Sequence, residues 1–456
     1  MRELNLATRI DAEHYQPHFI AVIDAVKKKD HKKLSEIVSK TITTGHTPSM
    51  AEESFYGGNV KFIKTDNLRD NHIVENFNHY LSEKGANKLK NALLKEDDII
   101  VTIIGATYEV VGRVARIFPD LGPATINQNI SLIRPSIASG YLACFLMGKY
   151  GKQQLHYLSR QTEQVNLNNA EVADVLVPMP SDTFANKIHT IHNQTHDLDT
   201  RSKKLYEEAE RMLLKEINLE GYTGTDEAVS VRNFSEALAD NRFDAEYWQP
   251  KYDEITKRVS KVPQEKLGDI VSAKKGVEVG SEAYTEEGKD FIRVSDFTIY
   301  GIEDVEKKIS EELYEGLKES YKPKKGEVLF TKDGTIGISF ALNEDVDAIV
   351  SGAFLRLKPK AKINNNYLAL ALNSFYCKAQ IERMSGGAII AHLKPESAMQ
   401  IEIPMLSGEK QEEFASKVLE ALLLRKESKE LLDKAKRAVE IFVEKDEEEA
   451  LQFITS

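Results

Sequence analysis

The chain is written twice, and this constrains its fold more than any other feature. Arg9, Asp11, Ala12, Glu13, Gln16 and Pro17 return as Arg242, Asp244, Ala245, Glu246, Gln249 and Pro250, an offset of 233 residues. The match stays in register through Lys33, Leu34, Ile37, Val38 and Ser39, repeated as Lys266, Leu267, Ile270, Val271 and Ser272. Further along the offset drifts while the order holds. Phe62-Ile63-Lys64 answers Phe291-Ile292-Arg293, and Asp98-Ile99, Thr102 and Gly105 answer Glu327-Val328, Thr331 and Gly334. Arg134-Pro135 answers Lys358-Pro359, and Tyr141-Leu142 with Pro178 answers Tyr367-Leu368 with Pro404. Such self-similarity marks a duplicated unit. With 456 residues, each copy is long enough to bury a core of its own.

Within each copy the pattern changes partway. Short β-branched and aromatic runs come first: Val60 to Ile63, Ile99 to Ile104 and Ile130 to Ile133, then Val328 to Thr331 and Ala353 to Leu357. Gly, Pro, Asn and Asp separate them, which is how strands and turns read. Helical spacing follows. Apolar or small residues fall at Phe184, Ile188, Ile191, Thr195, Leu198, Ser202, Leu205, Ala209 and Met212, alternating steps of four and three as in a coiled-coil seam. At an offset of 230 the second copy supplies Phe414, Val418, Ala421, Arg425, Ser428, Leu432, Ala435, Val439 and Phe442.

The pattern predicts an α+β chain with two β-rich domains in a pseudo-two-fold arrangement, separated by two long antiparallel coiled-coil helices. An N-terminal helical segment occupies 1–30, the first domain 31–180, a central spacer helix 181–215, and a linker with the repeat start 216–260. The second domain occupies 261–407, and a C-terminal spacer helix with an acidic tail 408–456. A helix of about 30 residues spans roughly 45 Å, on the order of one DNA helical turn or slightly more.

Nothing in the chain reads as catalytic. There is no Gly-x-Gly-x-x-Gly and no Walker loop for phosphates, and no Asn-Pro-Pro-aromatic tetrapeptide. The one Pro-Asp, Pro119-Asp120, has no Glu-x-Lys following it nearby. His189, His192 and His196 share a helical stripe, but no carboxylate or cysteine completes a set and the other copy has no counterpart, so no metal is expected. Cys144 and Cys377 lie in apolar stretches as small hydrophobes, which fits a reducing cytoplasm. The best apolar run, Ile99 to Ala106, is far short of the ~18 residues that span a bilayer, so no membrane is expected.

A net charge of -11 argues against nucleic acid until it is divided. Residues 31–180 carry 16 basic and 15 acidic side chains, and 261–410 carry 21 and 24, so most of the net negative charge lies outside the two domains.

The loops after the strands are where ligand-binding groups gather. Thr43-Thr44-Gly45-His46-Thr47-Pro48-Ser49 has a counterpart containing Lys274-Lys275-Gly276. Gly105-Ala106-Thr107-Tyr108 matches Lys332-Asp333-Gly334-Thr335-Ile336-Gly337. Ser159-Arg160-Gln161-Thr162 aligns with Ser385-Gly386-Gly387-Ala388, and Asn166 to Asn169 with Ala391-His392-Leu393-Lys394. Gln, Asn, Arg and Lys pair with base edges, while Thr, Ser and backbone amides bind phosphates.

Together these residues resemble the specificity subunit of type I restriction-modification systems. The likeness rests on Gly45-x-Thr47-Pro48-Ser49, the Phe62-Ile63 and Phe291-Ile292 strands, and the Asp98 to Gly105 and Glu327 to Gly334 segments. Asn127-Gln128-Asn129 and the Pro178-Met179-Pro180 and Pro404 exits into helices add to it. The second copy lacks the Thr-Pro-Ser triplet, with Gly280-Ser281-Glu282 nearby, and Gln128 becomes Gly352.

The resemblance implies that each domain is a target-recognition domain reading half of a split double-stranded DNA sequence. The helices would set the spacing and dock two methyltransferase subunits, through which restriction and motor subunits join. S-adenosylmethionine, ATP and Mg would bind those partners, and this chain would hold no cofactor. Expected DNA-binding residues are Thr43, His46, Thr47, Ser49, Lys64, Asn67, Arg69, Thr107, Tyr108, Arg160 and Gln161 in the first domain. In the second they are Lys274, Lys275, Arg293, Ser295, Lys332, Thr335, His392 and Lys394. The same pattern also admits a protein scaffold with two β-rich lobes on a coiled-coil bar, or an enzyme with unrecognised catalytic residues.

Overall fold

The computed structural model describes residues 16–161, 164–225, 229–303, 305–360, 362–385 and 392–455. Arg9 to Glu13, Thr162, Gly386 to Ala388 and Ala391 lie outside the described residues, as does the Gln161 side chain. The chain divides into two compact units: residues up to Leu198 together with those from Glu427 onward, and Asp199–Lys426. Each unit therefore contains one β-rich domain and part of both long helices.

In the first unit a four-stranded antiparallel sheet runs in the order Val38–Thr44, Ile130–Pro135, Ile99–Thr102, Val114–Arg116. The two central strands are mostly apolar and, apart from Arg134 and Pro135 at the end of one, buried, as strands covered on both faces are. Beside it Tyr56–Ile63 pairs parallel with Ala124–Ile126, Phe62 opposite Thr125. A short ribbon at the base pairs His31–Lys33 antiparallel with Leu176–Pro178. There the buried Tyr141 hydroxyl donates to the Pro178 carbonyl at 2.6 Å. Ser181 then caps the first long helix, Asp182–Glu216, its Oγ accepting the Phe184 amide at 3.2 Å.

The second unit repeats this plan. Its sheet order is Val271–Lys275, Phe354–Pro359, Val328–Thr331, Ser339–Ala341. Lys289–Ile292 pairs parallel with Ala348–Val350, Phe291 opposite Ile349, and Gln264–Lys266 pairs with Glu402–Pro404. Tyr367 donates to the Pro404 carbonyl at 2.6 Å, the counterpart of Tyr141. Both cysteines are fully buried, and burial pushes each thiol up to about 12, so neither is reactive.

A buried ion pair recurs with a shift in sequence. In the first unit Arg134 forks onto Asp98 at 2.9 and 3.2 Å and donates to the Leu93 carbonyl. In the second, Arg356 forks onto Glu327 at 2.9 Å and donates to the Ser320 carbonyl. Ile133 faces Ile99 where Leu357 faces Val328, so Arg134 corresponds to Lys358 by register. Arg356 stands two residues earlier, on the same face of the strand. The duplication kept the interaction while the arginine moved.

The second long helix is Gly408–Glu444. It runs antiparallel to the first within each unit: Phe184 packs against Phe442 in one, and Lys417 pairs with Glu208 in the other. Two buried hydroxyls cross the seam, Ser428 to the Thr195 carbonyl at 2.9 Å and Ser202 to the Ala421 carbonyl at 2.7 Å. These reciprocal bonds equate Ser202 with Ser428 and Thr195 with Ala421, an offset of 226 and not the 230 expected from the seam pattern. A slip of four residues turns a helix face by only about 40°, so the pattern alone does not distinguish the two.

The seam also departs from a strict alternation. Phe184, Ile188, Ile191, Phe414, Val418, Ala435, Val439 and Phe442 are buried as expected. Leu198, Leu205, Met212 and Leu432 are only half-buried, and Tyr206 and Leu213 take the core positions beside Leu205 and Met212. A helix of 3.6 residues per turn drifts ~20° per heptad from a 3.5-residue repeat. Over four heptads that is close to one residue, which is the displacement seen.

Candidate nucleic-acid interface

The first domain gathers its loops at the far end of the central strands. Gly45 closes the strand Val38–Thr44 directly against the following chain: a Cβ there would lie 1.7 Å from the Ile126 carbonyl oxygen. The close approach seats His46 to Ser49 beside Asn127-Gln128-Asn129, and the Thr47 hydroxyl donates to Gln128 Oε1 at 2.8 Å. Thr102, fully buried, clamps the next loop, donating to the Val110 carbonyl and accepting the Arg113 amide at 3.0 Å. Thr331 does the same in the second domain with the Thr335 carbonyl and the Ile338 amide.

Between these loops lies an open cleft of about 720 Å³, lined by Lys64, Thr65, Asp66, Arg69, Arg113, Asn127, Asn129, Gln164 and Asn166 with Ile104, Gly105, Ala106 and Val110. Four amide side chains, two guanidiniums and a lysine around a glycine-alanine floor make a surface rich in hydrogen-bond donors. Arg69 stands on a tightly held hairpin, Leu68–Arg69 paired with His72–Ile73. Buried Asn67 fixes its start, accepting the Lys64 amide at 3.0 Å and donating to Val74 and Asn76. Asp70 fixes its turn through Lys152 at 2.5 Å and the Val114 amide at 3.0 Å.

Of the residues expected to meet DNA, Lys64 and Arg69 line the cleft, and Thr107 is exposed beside it on the loop after Ala106. His46, Thr47 and Ser49 are exposed on the neighbouring loop, and Thr43 is half-buried at the end of its strand. Tyr108 leans on His156 with ring centroids 5.2 Å apart. Arg160, exposed, pairs with Glu171 at 2.8 Å on a strand opposite Asn166. Asn67 is corrected: it is buried and spends its amide on the hairpin, so it supports the site from beneath. Arg113 and Gln164 were missed, because only the fold carries them to the rim.

In the second domain Gly276 repeats the approach of Gly45, a Cβ there falling 2.1 Å from the Ser351 carbonyl oxygen. Lys274, Lys275, Thr335 and Lys394 are exposed. Arg293 is held by Asp296 at 3.1 Å and Glu306 at 2.9 Å, and Ser295 donates to Asp296 at 2.8 Å. Lys332 is corrected: it is 2% exposed and ion-paired to Asp333, which also takes His392, so it cannot reach a phosphate from where it lies. A lysine one residue beyond a buried strand points into the domain.

The histidine stripe belongs to the first unit's interior. Arg116 donates to Asp97 at 2.8 Å, to Asn193 at 2.6 Å and to His192 Nδ1 at 3.3 Å. His189 accepts the Gly140 amide at 3.2 Å, and His196 stacks on Phe118 at 3.6 Å while facing Asp120. Among the described residues no group of three or more His, Cys, Asp or Glu is placed to hold a metal. Burial, reinforced by the Arg116 charge, pulls the His192 imidazole down to about 3.

A pKa below the unfolded value of ~6.5 means the unfolded chain takes up a proton that the folded chain refuses. The stability this contributes is present above pH 6.5 and is lost as pH falls toward 3. The slope reaches about 1.4 kcal/mol per pH unit. Denaturant midpoints measured from pH 8 to 5 are expected to fall for the natural chain and to flatten for His192→Leu.

The type I restriction modification DNA specificity domain matches residues 27–211 and again residues 261–431. The chain is 27% identical over 187 residues to the type I restriction enzyme HindI specificity subunit of Haemophilus influenzae, 39% of each chain. It is 25% identical over 195 residues to the type I restriction enzyme MjaIX specificity subunit of Methanocaldococcus jannaschii, 41% of this chain and 43% of that one. The chain thus spans about two-fifths of the length of these curated relatives. A solved S subunit of the M. genitalium type I restriction-modification system aligns over 93% of this chain and 95% of its own, with 14% identity and a TM-score of 0.35. The HsdS subunit from Thermoanaerobacter tengcongensis aligns over 91% and 96%, with 15% identity and a TM-score of 0.29. With its domain matched in both copies over more than half its length, the chain belongs to the type I restriction-modification DNA specificity family.

Proposed function

We propose that this chain is the DNA sequence-specificity subunit of a type I restriction-modification complex in the cytoplasm, each domain recognising one half of a bipartite target. The reading is supported most directly by the first domain's cleft, where Lys64, Arg69, Arg113, Asn127, Asn129, Gln164 and Asn166 converge on a glycine-alanine floor. Guanidinium and amide groups are the side chains that pair with base edges. The two long helices would fix the spacing of the half-sites and dock two methyltransferase subunits, through which restriction and motor subunits join. S-adenosylmethionine, ATP and Mg would bind those partners, this chain contributing recognition without catalysis. Among the described residues no helix is long and apolar enough to cross a membrane.

The test is selection from a random duplex pool by the full chain, alone and with its methyltransferase, across a salt series. Affinity is expected to fall steeply with salt, and the selected sequences to share two short motifs at a fixed separation. Absent or salt-insensitive binding in both forms refutes the DNA reading, and a single continuous motif refutes the bipartite one.

A further inference from the structure

The geometry points to Arg69 as the reader of a guanine in the first half-site. This rests on the DNA reading above and names the base. Arg69 Nη1 donates to the carbonyls of Asp66 and Leu68, both at 3.0 Å. Those two bonds orient the guanidinium plane and leave the Nε–Nη2 edge, which meets no acceptor among the described residues. Two parallel N–H donors on one exposed edge match O6 and N7 of guanine in the major groove. A phosphate can also take both donors of such a fork, so the held plane marks a bidentate acceptor, and its place in a cleft lined by amide side chains points to a base edge.

The platform is as firmly held as the fork. Asn67 beneath it is 2% exposed, Asp70 after it is bound to Lys152 and Val114, and Asn71 takes a left-handed turn at φ 65°. Little side-chain freedom remains to be lost on contact with a base. The second domain provides an internal contrast. Asp296 holds the Arg293 amide as Asn67 holds that of Lys64, so Thr298 stands where Arg69 does. The Thr298 hydroxyl turns inward to the Tyr300 amide at 3.1 Å. The same hairpin without a guanidinium folds in the other copy, so the fold does not require one.

The test compares natural chain, Arg69→Ala, Arg69→Lys and Arg69→Gln in pool selection with the methyltransferase present, with salt dependence measured on the selected duplex. The natural chain is expected to select a guanine at one position of the first half-site, by roughly 5- to 150-fold over other bases. Arg69→Ala and Arg69→Lys are expected to lose that preference at that position alone, and Arg69→Gln to turn toward adenine there. If Arg69→Ala weakens all sequences evenly, reduces the salt slope by about 1, and is restored by lysine, the residue contacts phosphate and the inference fails. Unchanged selection in all three variants also overturns it. A natural chain that selects no sequence at all overturns the DNA reading itself.

Discussion

Arg356→Ala is expected to destabilise the second unit by about 3 to 5 kcal/mol, the usual cost of stranding a buried charge. Arg356 is 4% and Glu327 10% exposed, and the guanidinium also satisfies the Ser320 carbonyl. Removing it leaves a carboxylate in the interior whose remaining hydrogen bond among the described residues is from the Lys324 amide. Replacing both partners, Arg356→Met with Glu327→Leu, is expected to recover most of the loss, because no charge then remains to be solvated. Arg134→Ala should cost a comparable amount, since Arg134 is 17% exposed but the Asp98 it would strand is only 3% exposed. Chemical denaturation of the four proteins checks this. An Arg356→Ala chain as stable as the natural one would mean that the pair is not buried as described.

Gly45→Ala is expected to abolish discrimination at the first half-site while leaving the second intact. The added methyl would meet the Ile126 carbonyl oxygen at 1.7 Å and the Asn127 carbonyl oxygen at 3.3 Å, and both obstacles are backbone. Relief requires the His46 to Ser49 loop and the Asn127 to Asn129 loop to part. Loss of even two base contacts at 1 to 3 kcal/mol each amounts to roughly 30- to 10⁴-fold in selectivity. Gly276→Ala, with its methyl 2.1 Å from the Ser351 carbonyl oxygen, should produce the mirror-image defect. The readout is binding to duplexes altered in one half-site at a time. Full selectivity in both variants would separate these glycines from recognition.

Much of the fold was legible because duplicated residues repeat duplicated contacts. Tyr141 and Tyr367 recur since each hydroxyl ties down the chain where it enters a long helix, and Phe62 and Phe291 recur since each fills the core beneath a parallel strand pair. Gly45 and Gly276 were visible as punctuation, and their close approaches explain why nothing larger stands there. The helix register was not legible, because a seam of threes and fours nearly superposes on itself after four residues. Nor was the shifted arginine: alignment pairs Arg134 with Lys358, while the carboxylate is held by Arg356. Arg113 and Gln164 reach the cleft across loops distant in sequence, so no local pattern announces them. Lys332 misled because a cation in a glycine loop reads as exposed until its neighbouring strand is known to be buried.

The ribbon at the base of each domain has a consequence for how new specificities arise. His31–Lys33 lies antiparallel to Leu176–Pro178, and Gln264–Lys266 to Glu402–Pro404. Paired strands sit about 5 Å apart, so the ends of a long intervening segment meet side by side. A foreign domain ending in the same two strands, and carrying the same tyrosine, would rejoin the chain at two adjacent joints. Genetic exchange at those joints could then replace a reading head whole while leaving the helix seam, and whatever docks on it, as it was.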